Sequence, residues 1–321
     1  MKKESEKKKS VKAVKNEKKR ERQRIRGLDP KVGRKGKKMS KLLELKAQKK
    51  KEKRIERRKR REDEKRGIPV VRKTPHTIES LRRFDETIVD PEDVEVKFEE
   101  QIDEFSDHFS RKVTPKLLIT STRRPSEKMR TYMKELLLVL SNSYYFAREE
   151  YKLKEVVKHA TENGFTSILL VTEGADKLPN GLYICSLPRG PTTFFKLTSL
   201  KLASEMKGAG VLVATKPEIV LNSFNTRLGR RIGRQIASLF PLDPEFEGRR
   251  VITFHNQRDM IFFRHHRYVF RNEKKCSLKE IGPRFTLKTH FVQDGLFDLD
   301  GGLYEFIWRP DLQVDRKRFF I

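Results

Sequence analysis

Arg227, Arg230, Arg231 and Arg234 fall within one segment, TRLGRRIGRQIASLF, and no Asp or Glu lies between Arg227 and Leu242. On a helix turning about 100° per residue, with Arg227 at zero, Arg230 falls near −60°, Arg231 near +40° and Arg234 near −20°. Leu228, Ile232, Ile236 and Leu239 fall on the other side, between about 100° and 180°. Planar guanidinium forks match phosphate oxygens, so such a row without local carboxylates suits the backbone of a polyanion. Gly229, Gly233 and Ala237 occupy the remaining flank, a smooth strip that another backbone can approach.

Three other basic groups could serve the same chemistry. Arg123 and Arg124 sit in the turn Thr122-Arg123-Arg124-Pro125-Ser126, ahead of a helix whose first N–H groups can receive an anion. The tract GRRVITFHNQRDMIFFRHHRYVFR interleaves Arg258, Arg264 and Arg267 with aromatic rings that could stack on unpaired bases. Strand alternation makes Phe254 and Phe262 better candidates for the core. Arg57, Arg58, Arg60 and Arg61 stand in the cluster RRKRR, which reads as a nucleic-acid-contacting arm, as a nuclear-import signal, or as a solvated helix face.

Other chemistries find little support. There is no GxxxxGK[ST], no HExxH and no CxxC, so no cofactor or structural metal is expected. Asp294, Asp298 and Asp300 could hold a divalent metal for a nuclease, but Gly295, Gly301 and Gly302 beside them favour turns. Cys185 and Cys276 are the only cysteines and suit a reducing compartment. With no apolar run of membrane length and no secretory core near the start, a soluble protein that is neither membrane-bound nor exported is expected.

Charge divides the 321 residues into unlike parts. Residues 1–73 carry 34 Lys/Arg against 11 Asp/Glu, residues 74–110 carry 3 against 12, and residues 111–321 carry 37 against 22. The basic arm, 1–73, is too poor in apolar side chains for a core and should be disordered or a loose helix. Within it a helix is plausible from Met39 to Gly67, with Ser40 as cap and Glu56–Arg60 and Glu62–Arg66 as supporting pairs. The acidic segment, 74–115, reads as an extended piece leading into a short amphipathic helix. It could shield the basic arm, dock on a protein or simply link.

From Lys116 the pattern is that of a packed α/β domain. KLLITST reads as a strand. Met129, Tyr132, Met133, Leu136, Leu137 and Leu140 then mark one buried helix face opened by Ser126. Another helix near Lys152–Asn163, a strand SILLV and the paired runs LYICSLP and TTFFKLTS follow. The second half repeats this order with EIVLNSF, the arginine helix, RRVITFH, two short runs MIFFR and RYVF around His265-His266, RFTLKTHFV and LYEFIW. An internal duplication is suspected from element order.

The tracts TSTRRPSEKMRTYMKELL, FNTRLGRRIGRQIASLFP, GRRVITFHNQRDMIFFRHHRYVF and GPRFTLKTHF, in this order, resemble the Brix domain from about Lys116 to Phe297. The resemblance implies a two-lobed α/β fold with duplicated halves related to anticodon-binding domains, spanning 116–300, with a C-terminal strand and basic tail over 301–321. It also implies a non-enzymatic, nucleolar role in large-subunit assembly and rRNA processing. Precursor ribosomal RNA, the large-subunit pre-ribosomal particle and a second assembly-factor protein are the implied partners. The family's basic RNA-binding helix maps onto Asn225–Pro241, and thus onto Arg227, Arg230, Arg231 and Arg234. A metal-dependent RNA-processing nuclease and a protein-docking scaffold with incidental RNA contact remain the alternatives.

Overall fold

The computed structural model describes residues 30–66, 75–90, 92–211, 214–273, 275–298, 301–313, 315 and 317–321, with side chains from residue 43 onward. The chain forms two units, Met1–His76 and Thr77–Ile321.

In the first unit the described element is one helix, α1 (Pro30–Lys65). It starts well before Ser40, so the serine is interior and not the expected cap. Arg60 pairs with Glu56 at 2.8 Å as expected, but Glu62 pairs back to Arg58 at 3.1 Å and not forward to Arg66. Leu43, Leu45 and Ile55 are exposed, which is the signature of a helix without a core-facing stripe. Residues 1–29 lie outside the described residues.

The second unit begins with α2 (Val94–Ile102) and a short α3 (Ser106–Phe109). There follow β1 (Leu117–Ser121), α4 (Glu127–Val139), β2 (Ser143–Tyr145), α5 (Leu153–Glu162), β3 (Ser167–Glu173), β4 (Pro179–Ser186) and β5 (Thr192–Lys201). The later half supplies β6 (Glu218–Asn222), α6 (Arg227–Ala237), β7 (Arg250–Gln257), β8 (Met260–Asn272), β9 (Lys275–Glu280), β10 (Arg284–Asp294) and β11 (Leu303–Ile307).

All strands join one 11-stranded sheet in the order β2-β1-β3-β4-β5-β10-β8-β7-β6, with β11 on β10 and β9 on β8. The suspected duplication is visible in its construction. In each half a helix connects parallel strands, β1 to β2 through α4 and β6 to β7 through α6, and antiparallel strands then lead inward. The halves meet where β5 pairs antiparallel with β10.

The periodicity of α4 and α6 explains why both lie on the same core. Met129, Tyr132, Met133 and Leu136 from one helix and Ile232 and Ile236 from the other are buried in a single cluster. Phe263 and Phe285 stack at its centre, 4.2 Å between centroids and 4° apart in plane. A smaller cluster, with Leu118, Ile168 and Cys185 against Ala160, seats α5.

One expectation needs correction. MIFFR and RYVF are not separate runs, because β8 continues for 13 residues through His265. His265 is fully buried, and its Nε2 accepts from Arg250 Nε at 3.1 Å, which leaves Nδ1 as the donor to Gly282 O at 2.7 Å. Arg250 is itself buried and donates further to Leu138 O at 2.9 Å and to Thr215 O. A pair of side chains that look like surface cations thus locks α4 to the second half of the sheet.

The last residues pack into the same unit. Asp259 accepts the N–H groups of Phe320 and Ile321 at 2.7 and 2.9 Å, and Asn256 donates to Ile321 O at 2.7 Å. A Cβ added to Gly229 would meet the Ile321 carbonyl carbon at 3.0 Å. At Gly229 the smooth strip of α6 is therefore covered by the chain itself.

Candidate nucleic-acid interface

Helix α6 is held at three points. Thr226 caps it, its Oγ1 accepting Gly229 N–H at 2.9 Å, Ile232 and Ile236 fill the core, and buried Gln235 donates to Ile184 O and Pro191 O at 3.2 and 3.0 Å. This seating turns the four arginines outward as expected.

All four meet carboxylates, although Arg227 stays half exposed. Arg227 meets Glu95 at 2.8 Å and Glu99 at 3.8 Å, and Arg230 meets Glu100 at 2.6 Å. Arg231 is shared between Glu305 at 2.6 Å and Glu104 at 3.2 Å. Arg234 grips both oxygens of Asp103 at 2.5 and 2.8 Å, donates to Glu100 O at 2.7 Å and lies 4.2 Å over the Phe109 ring. The pairs ascend together along the acidic segment and α6, and buried Val96, Phe105 and His108 anchor that segment.

The expectation of an uncompensated row is corrected here. Four guanidiniums meet six carboxylates, Glu95, Glu99, Glu100, Asp103, Glu104 and Glu305, so the closed patch is two charges negative. Burial opposes the charge on Arg231, but the hydrogen bonds to Glu305 and Glu104 outweigh it and hold its pKa above the ordinary value. The partners Glu100, Asp103 and Glu104 come from 127 to 131 residues upstream, beyond any local count of charges.

A second anion site is filled in the same way. At the start of α4, Glu173 accepts Ser126 N–H at 2.9 Å and also the Ser126 hydroxyl, so a carboxylate of the chain already occupies the expected position. Arg123 and Arg124 remain exposed, with no carboxylate partner among the described residues. Arg57 and Arg61 of α1 are likewise exposed and without such a partner, whereas Arg58 and Arg60 carry the pairs given above.

The remaining candidates lie on β8 and its turn. Arg258 is exposed in the β7–β8 turn at φ 55°, and Arg264 lies 5.7 Å over the Phe262 ring. Arg267 is exposed but sits on the opposite face of the strand from Arg264. Phe254 is buried as expected, whereas Phe262 is half-buried on the outer face. Asp300 lies outside the described residues, and no metal-holding group of His, Cys, Asp and Glu occurs among the described ones.

Register brings together a cluster that linear reading missed. Lys196 of β5 lies directly opposite Lys288 of β10, and Met260 on β8 continues the same row. Like charges in that relation are destabilising. Neither lysine has an ion-pair partner among the described residues. Lys288 Nζ stands 3.6 Å from the Trp308 ring centroid, and His290 contacts both Trp308 at 5.3 Å and Phe194 at 5.7 Å. Burial first, then the charges on Lys288 and Lys196, hold the His290 pKa below its ordinary value. Cross-strand pairing puts Phe262, and two residues on Arg264, on this face, opposite the side occupied by Phe263 and Phe285. The result is a cationic and aromatic sheet surface.

A protein called ribosome production factor 1 from Danio rerio is 46% identical over 78% of this chain and 76% of its own length. A Brix domain-containing protein of Schizosaccharomyces pombe is 38% identical over 80% of this chain and 87% of its own length. A crystal structure of a probable ribosomal biogenesis protein from Aeropyrum pernix K1 superposes on 54% of this chain and 96% of that chain, with 17% identity and a TM-score of 0.42. The family model for the Brix domain matches residues 122–290, from the turn before α4 through the lysine-bearing stretch of β10. Because that match spans more than half of the 321 residues, the chain belongs to the Brix domain family.

Proposed function

We propose that this protein is a non-enzymatic ribosome biogenesis factor. It binds precursor ribosomal RNA in the large-subunit pre-ribosomal particle, supports rRNA processing and works in the nucleolus beside a second assembly-factor protein. The relatives' names support the biogenesis role. The observation that carries RNA binding is the opposed pair Lys196 and Lys288, set among Trp308, His290 and Phe194 without a neutralising ion pair. Such repulsion is relieved by phosphates, and the rings beside it offer faces to bases. Arg264 and Arg258 extend this surface, while Arg123, Arg124 and the arm residues Arg57, Arg58, Arg60 and Arg61 add contacts elsewhere. The α6 arginines serve as a clasp for the acidic segment and reach RNA only if its carboxylates leave.

The test is RNA affinity against salt for the full chain and for a variant with Lys196→Gln, Lys288→Gln and Arg264→Gln. Each lost phosphate contact should flatten the log–log slope by roughly 0.7 to 0.9, so the triple variant should lose about 2 to 3. An unchanged slope rejects this face.

A further inference from the structure

A second aromatic surface lies at the far edge of the sheet, where β1 and the three-residue β2 meet α5. Its cleft, of about 570 Å³, is lined by Lys116, Tyr144, Phe146, Arg148, Tyr151 and Phe165 among others. Tyr144, Phe146 and Tyr151 are 46%, 56% and 55% exposed, unusual for large rings that sit together. Tyr144 and Phe146 both stand edge-on to Phe165, with interplanar angles of 81° and 86°. Lys116 Nζ lies 4.6 Å over the Phe165 ring while donating to Asn163 O at 2.9 Å, and Arg148 Nε donates to Tyr151 O at 3.1 Å.

Charge identifies the occupant. Lys116, Arg148 and the neighbouring Arg123 have no carboxylate partner among the described residues. Of the nearby acids, Glu155 accepts Lys152 N–H at 2.9 Å and Glu162 pairs with Lys158 and His159, while the exposed Glu149 and Glu150 do not line the cleft. An aromatic cleft rimmed by unneutralised cations suits a ligand that is flat and anionic at once. An unpaired nucleotide has both properties, since its base stacks on the rings and its phosphate meets the guanidinium.

We propose that this cleft is a stacking site for an unpaired nucleobase of the bound RNA, with Tyr144, Phe146 and Tyr151 as the platform and Arg148 and Lys116 at the flanking phosphates. It rests on the RNA-binding reading above but uses residues separate from the lysine face. The cleft distinguishes single-stranded from paired RNA, because a base held in a duplex cannot enter it.

The experiment uses the full chain with two probes, a short unstructured oligouridine and a blunt-ended, fully paired RNA duplex, by fluorescence anisotropy. Phe146→Ala and Tyr151→Ala, both at exposed positions, should each weaken oligouridine binding about tenfold, within the range of one lost base stack, and leave duplex binding unchanged. Phe146→Tyr should restore it. An oligouridine carrying 5-iodouridine should photocrosslink to Tyr144, Phe146 or Tyr151. Wild-type oligouridine affinity in both Ala variants, with crosslinks elsewhere, overturns the proposal while duplex binding keeps the wider reading intact. Loss of binding to both probes in the wild-type chain overturns both. Occupancy by an acidic, aromatic peptide in preference to oligouridine also overturns it in favour of a protein partner.

Discussion

Replacing Arg234 by Gln should cost the folded chain about 3 kcal/mol. The guanidinium makes two charge-assisted bonds to Asp103 and one to Glu100 O, and it covers the Phe109 ring. The Arg234 and Asp103 side chains are only 17% and 13% exposed, so removing one strands the other in a poorly solvated place. Arg227 is half exposed against a Glu95 that is 68% exposed, so solvent screens the pair and Arg227→Gln should cost far less than Arg234→Gln. For a unit of this size the first change lowers the melting temperature by roughly 6 to 12 °C, and the second is scarcely visible. Thermal and urea unfolding of the two variants, with a double-mutant cycle between Arg234→Gln and Asp103→Asn, measures this contrast. The α6 quadruple Gln variant should leave the salt slope of RNA binding nearly unchanged. Equal, small stability losses together with a slope flattened by about 3 would refute the clasp and return the row to RNA.

Neutralising Glu95, Glu99, Glu100, Asp103 and Glu104 to their amides should uncover Arg227, Arg230 and Arg234 while Glu305 still holds Arg231, so RNA binding tightens and its salt slope steepens in filter-binding titrations. Burial first, and then the Arg250 charge, push the His265 pKa down to about 4 from 6.5, while the Gly282 carbonyl pulls the other way. In that window the unfolded chain binds the extra proton, so stability should fall as pH drops from about 6.5 towards 4, by on the order of 3 kcal/mol in full. Urea midpoints across pH should follow this trend, and a His265→Gln variant should flatten it. Arg250→Met should cost about 2 to 4 kcal/mol because it leaves Leu138 O, Thr215 O and His265 without their donor. Arg250→Lys should not restore the loss, since one ammonium cannot reproduce the planar fork, and chemical denaturation decides it.

Much of the fold was legible in the chain. The apolar spacing from Met129 to Leu140 marked α4, and the arginine and aliphatic faces marked α6, because both depend on residues within a few turns. The three-residue β2 and the polar β9, KCSLKE, carry no periodic signal and form as neighbours of β1 and β8. His265-His266 read as a break because burial of a histidine against an arginine needs Arg250 from the adjacent strand. The site was legible only in part. The direction of the arginine row follows from its helix, but its occupation by Glu100, Asp103 and Glu104 is a long-range fact. The acidic segment and α6 were each visible as charged objects, and nothing in their spacing joined them. Lys196 and Lys288 look like ordinary alternating surface residues until the β5–β10 register sets them opposite each other.

The most direct test is to crosslink the full chain to precursor ribosomal RNA in intact particles and identify the attached peptides by mass spectrometry. Adducts should fall on β5, β8, β10 and around Trp308, and α6 should be free of them. Adducts on the peptide holding Arg227, Arg230, Arg231 and Arg234, with none on Lys196, Lys288 or Trp308, would contradict the account.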